Sequence, residues 1–230
     1  MLDLLFPRHC MLCEKPCDGL CGICVTRLEQ PCASNPPEGL DRMYGICAYE
    51  GAGRELVLAL KRGNRRDGVP LLGASLAEAI SNDLPSAPDD SMQQCSLSDT
   101  REPLGTARAQ APLVAGVTWA PTTSRRRRHR GYDQSQLLAA AVARGLQVRA
   151  RRCLRRTGAA QMGLDVADRR RNPTFSPTVS LAHTPRVGIP STWVLVDDVV
   201  TTGATMSAAA EVLRAAGADS VIGATIAITT

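Results

Sequence analysis

The chain has 230 residues, enough for one sizeable domain and a small appendage, and its hydrophobic fraction of 44% excludes a disordered chain. Aromatic residues make up only 3%, which confines the core to Ala, Val, Leu and Ile. The net charge of +5 hides an asymmetry: fourteen Arg against three Asp between Pro121 and Asn172 give +11 locally and leave −6 elsewhere. Such a segment suits a polyanionic partner such as phosphate, pyrophosphate or nucleic acid, although any single arginine equally serves a solvated surface.

The opening residues, MLDLLFPRHC, carry an acid at Asp3 and no basic leader, so they do not read as a secretory signal. No apolar run approaches the ~20 residues of a membrane span, and the cytoplasm is the expected location. Six of the nine cysteines lie in the first 32 residues. Cys10 and Cys13 form one CxxC knuckle and Cys21 and Cys24 a second, with seven residues between them. Two knuckles complete a tetrahedral four-cysteine zinc site, with Cys17 as an alternative fourth ligand. Four thiolates leave no open coordination position, so the metal's work would be to fold a segment too small to bury its own core. Disulfides are the rival, but they belong to oxidising compartments. This sets residues 1–38 apart as a zinc-finger module and leaves 39–230 as the main domain.

Beyond the Pro-rich PCASNPPEG, the sequence alternates strands and helices. RMYGICAYEG reads as a strand, GRELVLALKRG as a helix with Leu56, Val57 and Leu60 on one face, and PLLGASLAEAISND as a second helix. Residues 85–113 are polar, Pro-containing and aperiodic, and read as a flexible insertion. VAGVTWAP is a strand, SQLLAAAVARGL a helix and QVRARRCL a short alternating strand. VLVDDV and VIGATIAI are almost continuously apolar, as strands covered on both faces of a parallel sheet are. SAAAEVLRAAG between them is the crossover helix, stopped by Gly217. The expected fold class is α/β, a mostly parallel central sheet flanked by helices.

The stretch WVLVDDVVTTGATM carries the chemistry. Strand Trp193–Val196 delivers Asp197 and Asp198 to the carboxyl end of the sheet, where open α/β folds bind ligands. Val200, Thr201, Thr202, Gly203, Ala204 and Thr205 then lead to a helix expected to begin near Met206. Backbone N–H groups at that turn make a phosphate cradle, with Gly203 allowing close approach. The acids would repel a phosphate, so they suit the hydroxyls of a sugar or a magnesium ion. Phosphate on one side and diol on the other describe a ribose 5-phosphate. The bland alternative is an N-capped helix with one acid as its cap.

VLVDDVVTTGAT resembles the phosphoribosyl pyrophosphate-binding signature of type I phosphoribosyltransferases. Together with the cysteine knuckles, LALKRG, RHRGYDQSQLLA and the spacing of Arg156, Gln161, Leu164, Arg169, Asn172 and Phe175, it is similar to the ComF-type branch, which pairs a zinc finger with a phosphoribosyltransferase-like domain and is associated with competence for DNA uptake. The resemblance implies a type I phosphoribosyltransferase fold binding phosphoribosyl pyrophosphate with magnesium, and displacement of pyrophosphate by a nucleobase-type acceptor. It assigns the 5′-phosphate to Val200–Thr205, the ribose hydroxyls and magnesium to Asp197 and Asp198, and pyrophosphate to Arg125, Arg126, Arg127, Arg128 and Arg130, with Lys61 a weaker candidate. Tyr132 and Asp133 stand where the family has Phe and Asn, adding a negative charge to the arginine loop. With Thr230 directly after the last expected strand, no C-terminal hood is expected, and the zinc module is the expected cover of the site. The alternatives on the same fold are a single-stranded DNA-binding accessory of the competence machinery and a zinc-dependent adaptor. Tyr132 is the single aromatic of the arginine-rich loop, which argues against base stacking.

Overall fold

Four parallel strands form the centre of the computed structural model, which describes residues 9–28, 30, 35–62, 67–84, 114–123, 128, 131–157, 174–181 and 191–229. Across the sheet lie β1 (Arg42–Ala48), β6 (Ser220–Ile228), β5 (Thr192–Val200) and β2 (Gly116–Trp119). The two central strands are buried on both faces. On β5, Trp193 and Leu195 enter one core with Met206 and Leu213, while Val194 and Val196 enter a second with Leu56, Leu76 and Leu138. Side chains alternate along a strand, so a strand with two covered faces has no polar position to offer.

Helices α2 (Gly51–Arg62), α3 (Val69–Asp83) and α4 (Gln134–Gly145) contribute to the second of these cores. The other core holds α5 (Ala204–Ala215) and the antiparallel ribbon of β3 (Leu154–Thr157) and β4 (Thr174–Pro177). Pro70 sits in the first turn of α3, where a missing N–H costs nothing. α3 and α4 touch through small residues: a Cβ on Gly73 would lie 2.3 Å from Ala141 Cβ, and one on Gly145 would lie 2.5 Å from Ala77 Cβ. α5 is the crossover between β5 and β6. It ends as expected at Gly217, whose φ of +110° suits glycine, with the Ala218 N–H donating to the Leu213 carbonyl at 3.0 Å.

The strand expected over QVRARRCL is displaced. α4 closes with Gln147 in the left-handed region (φ +56°) and the Val148 N–H on the Ala143 carbonyl, so this turn consumes the first residues of the expected strand. The chain then makes one parallel bridge, Ala150 to Val117, before β3 starts at Leu154. The segment at 85–113 lies outside the described residues.

A short helix, α1 (Gly22–Thr26), belongs to the cysteine-rich N-terminal segment. That segment is docked on the α2–α3 side. Met11 is 3% exposed and belongs to the core of that face. Its Sδ would be 2.1 Å from a Cβ on Gly68, so the side chain lies against the backbone at the start of α3. Arg27 pairs with Glu55 of α2 at 3.5 Å. Among the described residues, no helix is long and apolar enough to cross a membrane.

Candidate functional site

The two edges of β5 end differently, and the difference makes the site. Toward β2 the ladder stops at Trp119 opposite Val196, with a last bond from the Ala120 N–H to the Val196 carbonyl at 2.9 Å. Toward β6 it continues to Val200 opposite Ile228. Asp197 is therefore the first β5 residue without a β2 partner. The acids are still within β5, which runs four residues past the expected Val196.

The N-terminus of α4 meets this position. Ser135, 4% exposed, donates its hydroxyl to Asp197 Oδ1 at 2.9 Å, and the Asp198 N–H reaches the same oxygen at 2.8 Å. Burial, helped by the charge of Asp198, pushes the Asp197 carboxyl up to about 8, against the opposing pull of these hydrogen bonds and of Lys61. Asp198 Oδ2 pairs with Lys61 Nζ at 2.9 Å, the two side chains being 20% and 22% exposed. Lys61 comes from the last turn of α2, so α2, α4 and β5 each contribute a group to one cluster.

Asp133 is the third acid. It is the N-cap residue of α4, 6% exposed, and its Oδ2 accepts the Thr122 N–H at 3.0 Å. Its Oδ1 is buried without a hydrogen-bond partner. Burial raises its pKa and Asp198 adds to the rise, against the backbone N–H groups of Thr122, Gln136 and Ser135. The charge expected in the arginine loop is thus held in the interior, where it closes the loop's neck between Thr122 and Asp133. Tyr132 forms a second tether, donating its hydroxyl to the Leu60 carbonyl at 3.0 Å. Asp197 and Asp198 both lie near Lys61 and Asp133 adds a third carboxyl near Asp198, an arrangement that would favour a cation.

On the other side of the acids, Thr201 and Thr202 are exposed and Gly203 turns the chain with φ +76°. α5 begins at Ala204, two residues earlier than expected, with no side-chain cap on its first N–H groups. Thr202 Oγ1 stands 3.5 Å from the Ala204 N–H, a poor hydrogen bond. An uncapped N-terminus carries partial positive charge and free donors, the features an anion uses. It also removes the bland reading, since neither Asp197 nor Asp198 caps this helix. The close approach at Gly203 is to Pro37: a Cβ there would meet Pro37 Cβ and Cγ at 2.9 Å. The neighbouring linker is tied to α5 by Arg214, which donates to the Gly39 carbonyl at 2.8 Å and to both oxygens of Asp41 at 2.7 and 2.8 Å.

Between α2, α3 and α4, beside Lys61 and Asp198, lies a narrow solvent-open cleft walled by Val57, Leu60, Val69, Leu137, Leu138 and Ile226. None of its lining comes from the cysteine-rich segment, so among the described residues that segment buttresses a wall of the cleft and does not cover it.

Of the arginines, Arg125, Arg126, Arg127 and Arg130 lie outside the described residues, and Arg128 is exposed. Arg156 lies over the ring of Phe175, 5.5 Å from its centroid, so this aromatic is covered by a cation. Cys47 and Cys153 are core residues whose thiols burial pushes up, that of Cys47 to about 11.

The sulfur atoms of Cys10, Cys13, Cys21 and Cys24 all lie within 4.8 Å of one another, with Cys13 and Cys21 at 3.5 Å. Tetrahedral zinc with Zn–S of about 2.3 Å requires sulfurs roughly 3.8 Å apart, so the cluster fits that ion. Cys17 falls outside the group of four. Burial raises the Cys10 thiol, but the backbone N–H groups of Cys13, Cys21 and Leu12 outweigh it and bring it down to about 6, toward the thiolate a metal needs. Burial and the sulfurs around it push Cys24 the other way, to about 12.

Residues 118–228 match the phosphoribosyl transferase domain family. Over that stretch the chain is similar to phosphoribosyltransferase domains. The match takes in β2, α4, the paired acids, the Thr-Thr-Gly turn, α5 and β6, but not β1, Lys61, α3 or the cysteine cluster. A comparison with curated proteins gives no match. Sequence reading missed Ser135 and the Arg214–Asp41 pair, and it took Asp133 for a charge of the arginine loop where the structure buries it. A hydroxyl two residues into a helix gives a weak signal, and Arg214 and Asp41 are far apart in sequence.

Proposed function

We propose that the chain binds phosphoribosyl pyrophosphate with magnesium and transfers the phosphoribosyl group to a nitrogen acceptor, releasing pyrophosphate. The observation that carries this is the juxtaposition, within the matched domain, of Asp197 and Asp198 with an uncapped helix N-terminus. The backbone N–H groups around Gly203 and Ala204, with the Thr201, Thr202 and Thr205 hydroxyls, hold the 5′-phosphate. Val200 is 5% exposed and contributes its backbone only.

Asp197 and Asp198 hold the ribose hydroxyls, and Ser135 fixes the Asp197 carboxyl. The donor set of hard carboxylate oxygens, short of positive charge, fits magnesium, whose role when bound is to neutralise the diphosphate. Lys61 and the arginines of residues 125–130 take the pyrophosphate as its charge develops. In the transfer, the lone pair of the acceptor nitrogen forms the bond to the anomeric carbon. The bond from that carbon to the pyrophosphate oxygen breaks with its electron pair, and the released pyrophosphate takes up the nitrogen's proton.

Calorimetric titration of phosphoribosyl pyrophosphate, with and without magnesium, tests the reading. Magnesium-dependent binding is expected for the wild type and is lost in Asp198→Asn. No binding by folded, zinc-loaded wild type would defeat it.

A further inference from the structure

We infer that Tyr132 is a positioning residue for the paired acids. By donating its hydroxyl to the Leu60 carbonyl it joins the end of α2 to the start of α4, and so keeps Lys61 on Asp198 in step with Ser135 on Asp197. Its effect on phosphoribosyl pyrophosphate rests on the function proposed above; the joint between the helices does not.

The two acids are neighbours on β5 but are held from different helices. Asp197 takes the Ser135 hydroxyl from the first turn of α4 at 2.9 Å, and Asp198 takes Lys61 Nζ from the last turn of α2 at 2.9 Å. The helices have separate supports: α2 packs chiefly on β6 and β1, and α4 on α3, β5 and β2. Little of the relative placement of Ser135 and Lys61 therefore comes from packing one helix directly on the other.

Tyr132 makes the connection. Its hydroxyl lies 3.0 Å from the carbonyl oxygen of Leu60, the residue before Lys61. Leu60 is in the last turn of α2, where the carbonyls have no N–H ahead of them within the helix, and helix ends fray. On its other side Tyr132 is joined by the chain to Asp133, the N-cap residue of α4, which is buried and accepts the Thr122 N–H. One hydroxyl thus ties the last turn of α2 to a fixed point at the head of α4.

A lysine carries its charge on a flexible four-carbon stem, so it keeps one partner only while the backbone beneath it is held. Leu56, Val57 and Leu60 hold one face of α2 in the core, and the Tyr132 bond holds its last turn. Without that bond Lys61 would exchange Asp198 for solvent. Two adjacent carboxyls would then face an incoming diphosphate with their nearest cation displaced.

The chain has two lysines, Lys15 and Lys61, and Lys15 is exposed. Lysine labelled with carbon-13 at the ε position therefore gives two NMR signals in the zinc-loaded full chain, one of them an internal reference. The Lys61 methylene is expected to be more ordered than that of Lys15 in the wild type. Tyr132→Phe, which keeps the ring, is expected to bring Lys61 to the Lys15 level and leave Lys15 unmoved. In Asp198→Asn, Lys61 is expected at that level with or without the Tyr132 hydroxyl. A side chain that merely packed would lower the unfolding midpoint without touching the Lys61 signal. Calorimetry with magnesium is expected to show phosphoribosyl pyrophosphate bound about three- to ten-fold more weakly by Tyr132→Phe, the scale of one hydrogen bond. If Lys61 keeps its wild-type order in folded Tyr132→Phe, the positioning role is overturned and the transferase reading stands. If its order falls while affinity is unchanged, the joint stands and its part in binding is overturned. If the wild type does not bind phosphoribosyl pyrophosphate, the transferase reading falls, and the Lys61 signal alone decides the joint.

Discussion

Asp197→Asn is expected to make the protein more stable at alkaline pH while abolishing its use of phosphoribosyl pyrophosphate. In the folded chain the Asp197 carboxyl is raised from 3.8 to about 8. Between those values the folded state holds a proton that the unfolded chain has released, so stability falls as pH rises from about 4 to about 8 and stays low above. One pKa unit is about 1.4 kcal/mol. A shift of this size would nominally amount to several kcal/mol, but Asp197 is only half-buried, and we expect about 1–3 kcal/mol after screening by solvent and Lys61. Asn retains a carbonyl oxygen for the Ser135 hydroxyl and the Asp198 N–H and carries no charge to desolvate. Urea unfolding at pH 5 and pH 8.5 reads the effect: little difference at the lower pH, and a variant about 1–3 kcal/mol more stable at the higher, or roughly 2–10 °C in thermal midpoint. A variant no more stable than wild type at pH 8.5 would refute the claim that this carboxyl is strained by its surroundings.

Five other perturbations test the same geometry. Gly203→Ala is expected to cost about 1–2 kcal/mol from the left-handed backbone alone, with more from the Cβ contact to Pro37, and to weaken phosphoribosyl pyrophosphate; urea unfolding and calorimetry check both. Lys61→Met frees Asp198 Oδ2, so Mn²⁺ measured without other ligands is expected to bind several-fold more tightly, while phosphoribosyl pyrophosphate binds more weakly. Chelation of zinc is expected to lower the thermal midpoint of the whole chain, and Met11→Ala to cost about 2–5 kcal/mol of stability in the zinc-loaded protein, because its side chain belongs to the main core. Asp41 accepts from Arg214, Ser220 and the Val221 N–H; burial opposes ionisation, but these bonds hold the carboxyl below its ordinary 3.8, so its contribution is present above that pH and lost below it. Asp41→Asn is expected to lower stability by about 1 kcal/mol at pH 7, with the difference disappearing in acid.

Local rules made the central layer legible. β5 from Trp193 to Val196 and β6 from Val221 to Ile228 are covered on both faces and, apart from Thr225, carry no polar side chain, and the break at Asp197 coincides with the loss of its β2 neighbour. Gly217 stops α5 because only the backbone at that residue decides the matter. The QVRARRCL strand went wrong for the same local reason: alternation was read without the turn at Gln147, a left-handed position that a glutamine does not advertise. Gly203 was legible as a turn but not as a contact, since Pro37 reaches it only through the fold. Asp133 read as a loop charge because the hydrogen bond that buries it comes from Thr122, across the arginine segment. Spacing narrowed the zinc ligands, and the sulfur positions then separated Cys17 from the other four.

The cysteine-rich segment and the linker after it gain a role from where they touch the domain. Met11, inside the first knuckle, lies against the start of α3, on the face that holds the cleft. Pro37 lies against Gly203 in the turn before α5, and Gly39 and Asp41 are bonded by Arg214 of α5, on the other face. The N-terminal stretch therefore grips both walls between which the substrate would lie. A knuckle of this size buries too little to hold its shape alone, and the sulfurs of Cys10, Cys13, Cys21 and Cys24 are placed so that a metal ion could fix it.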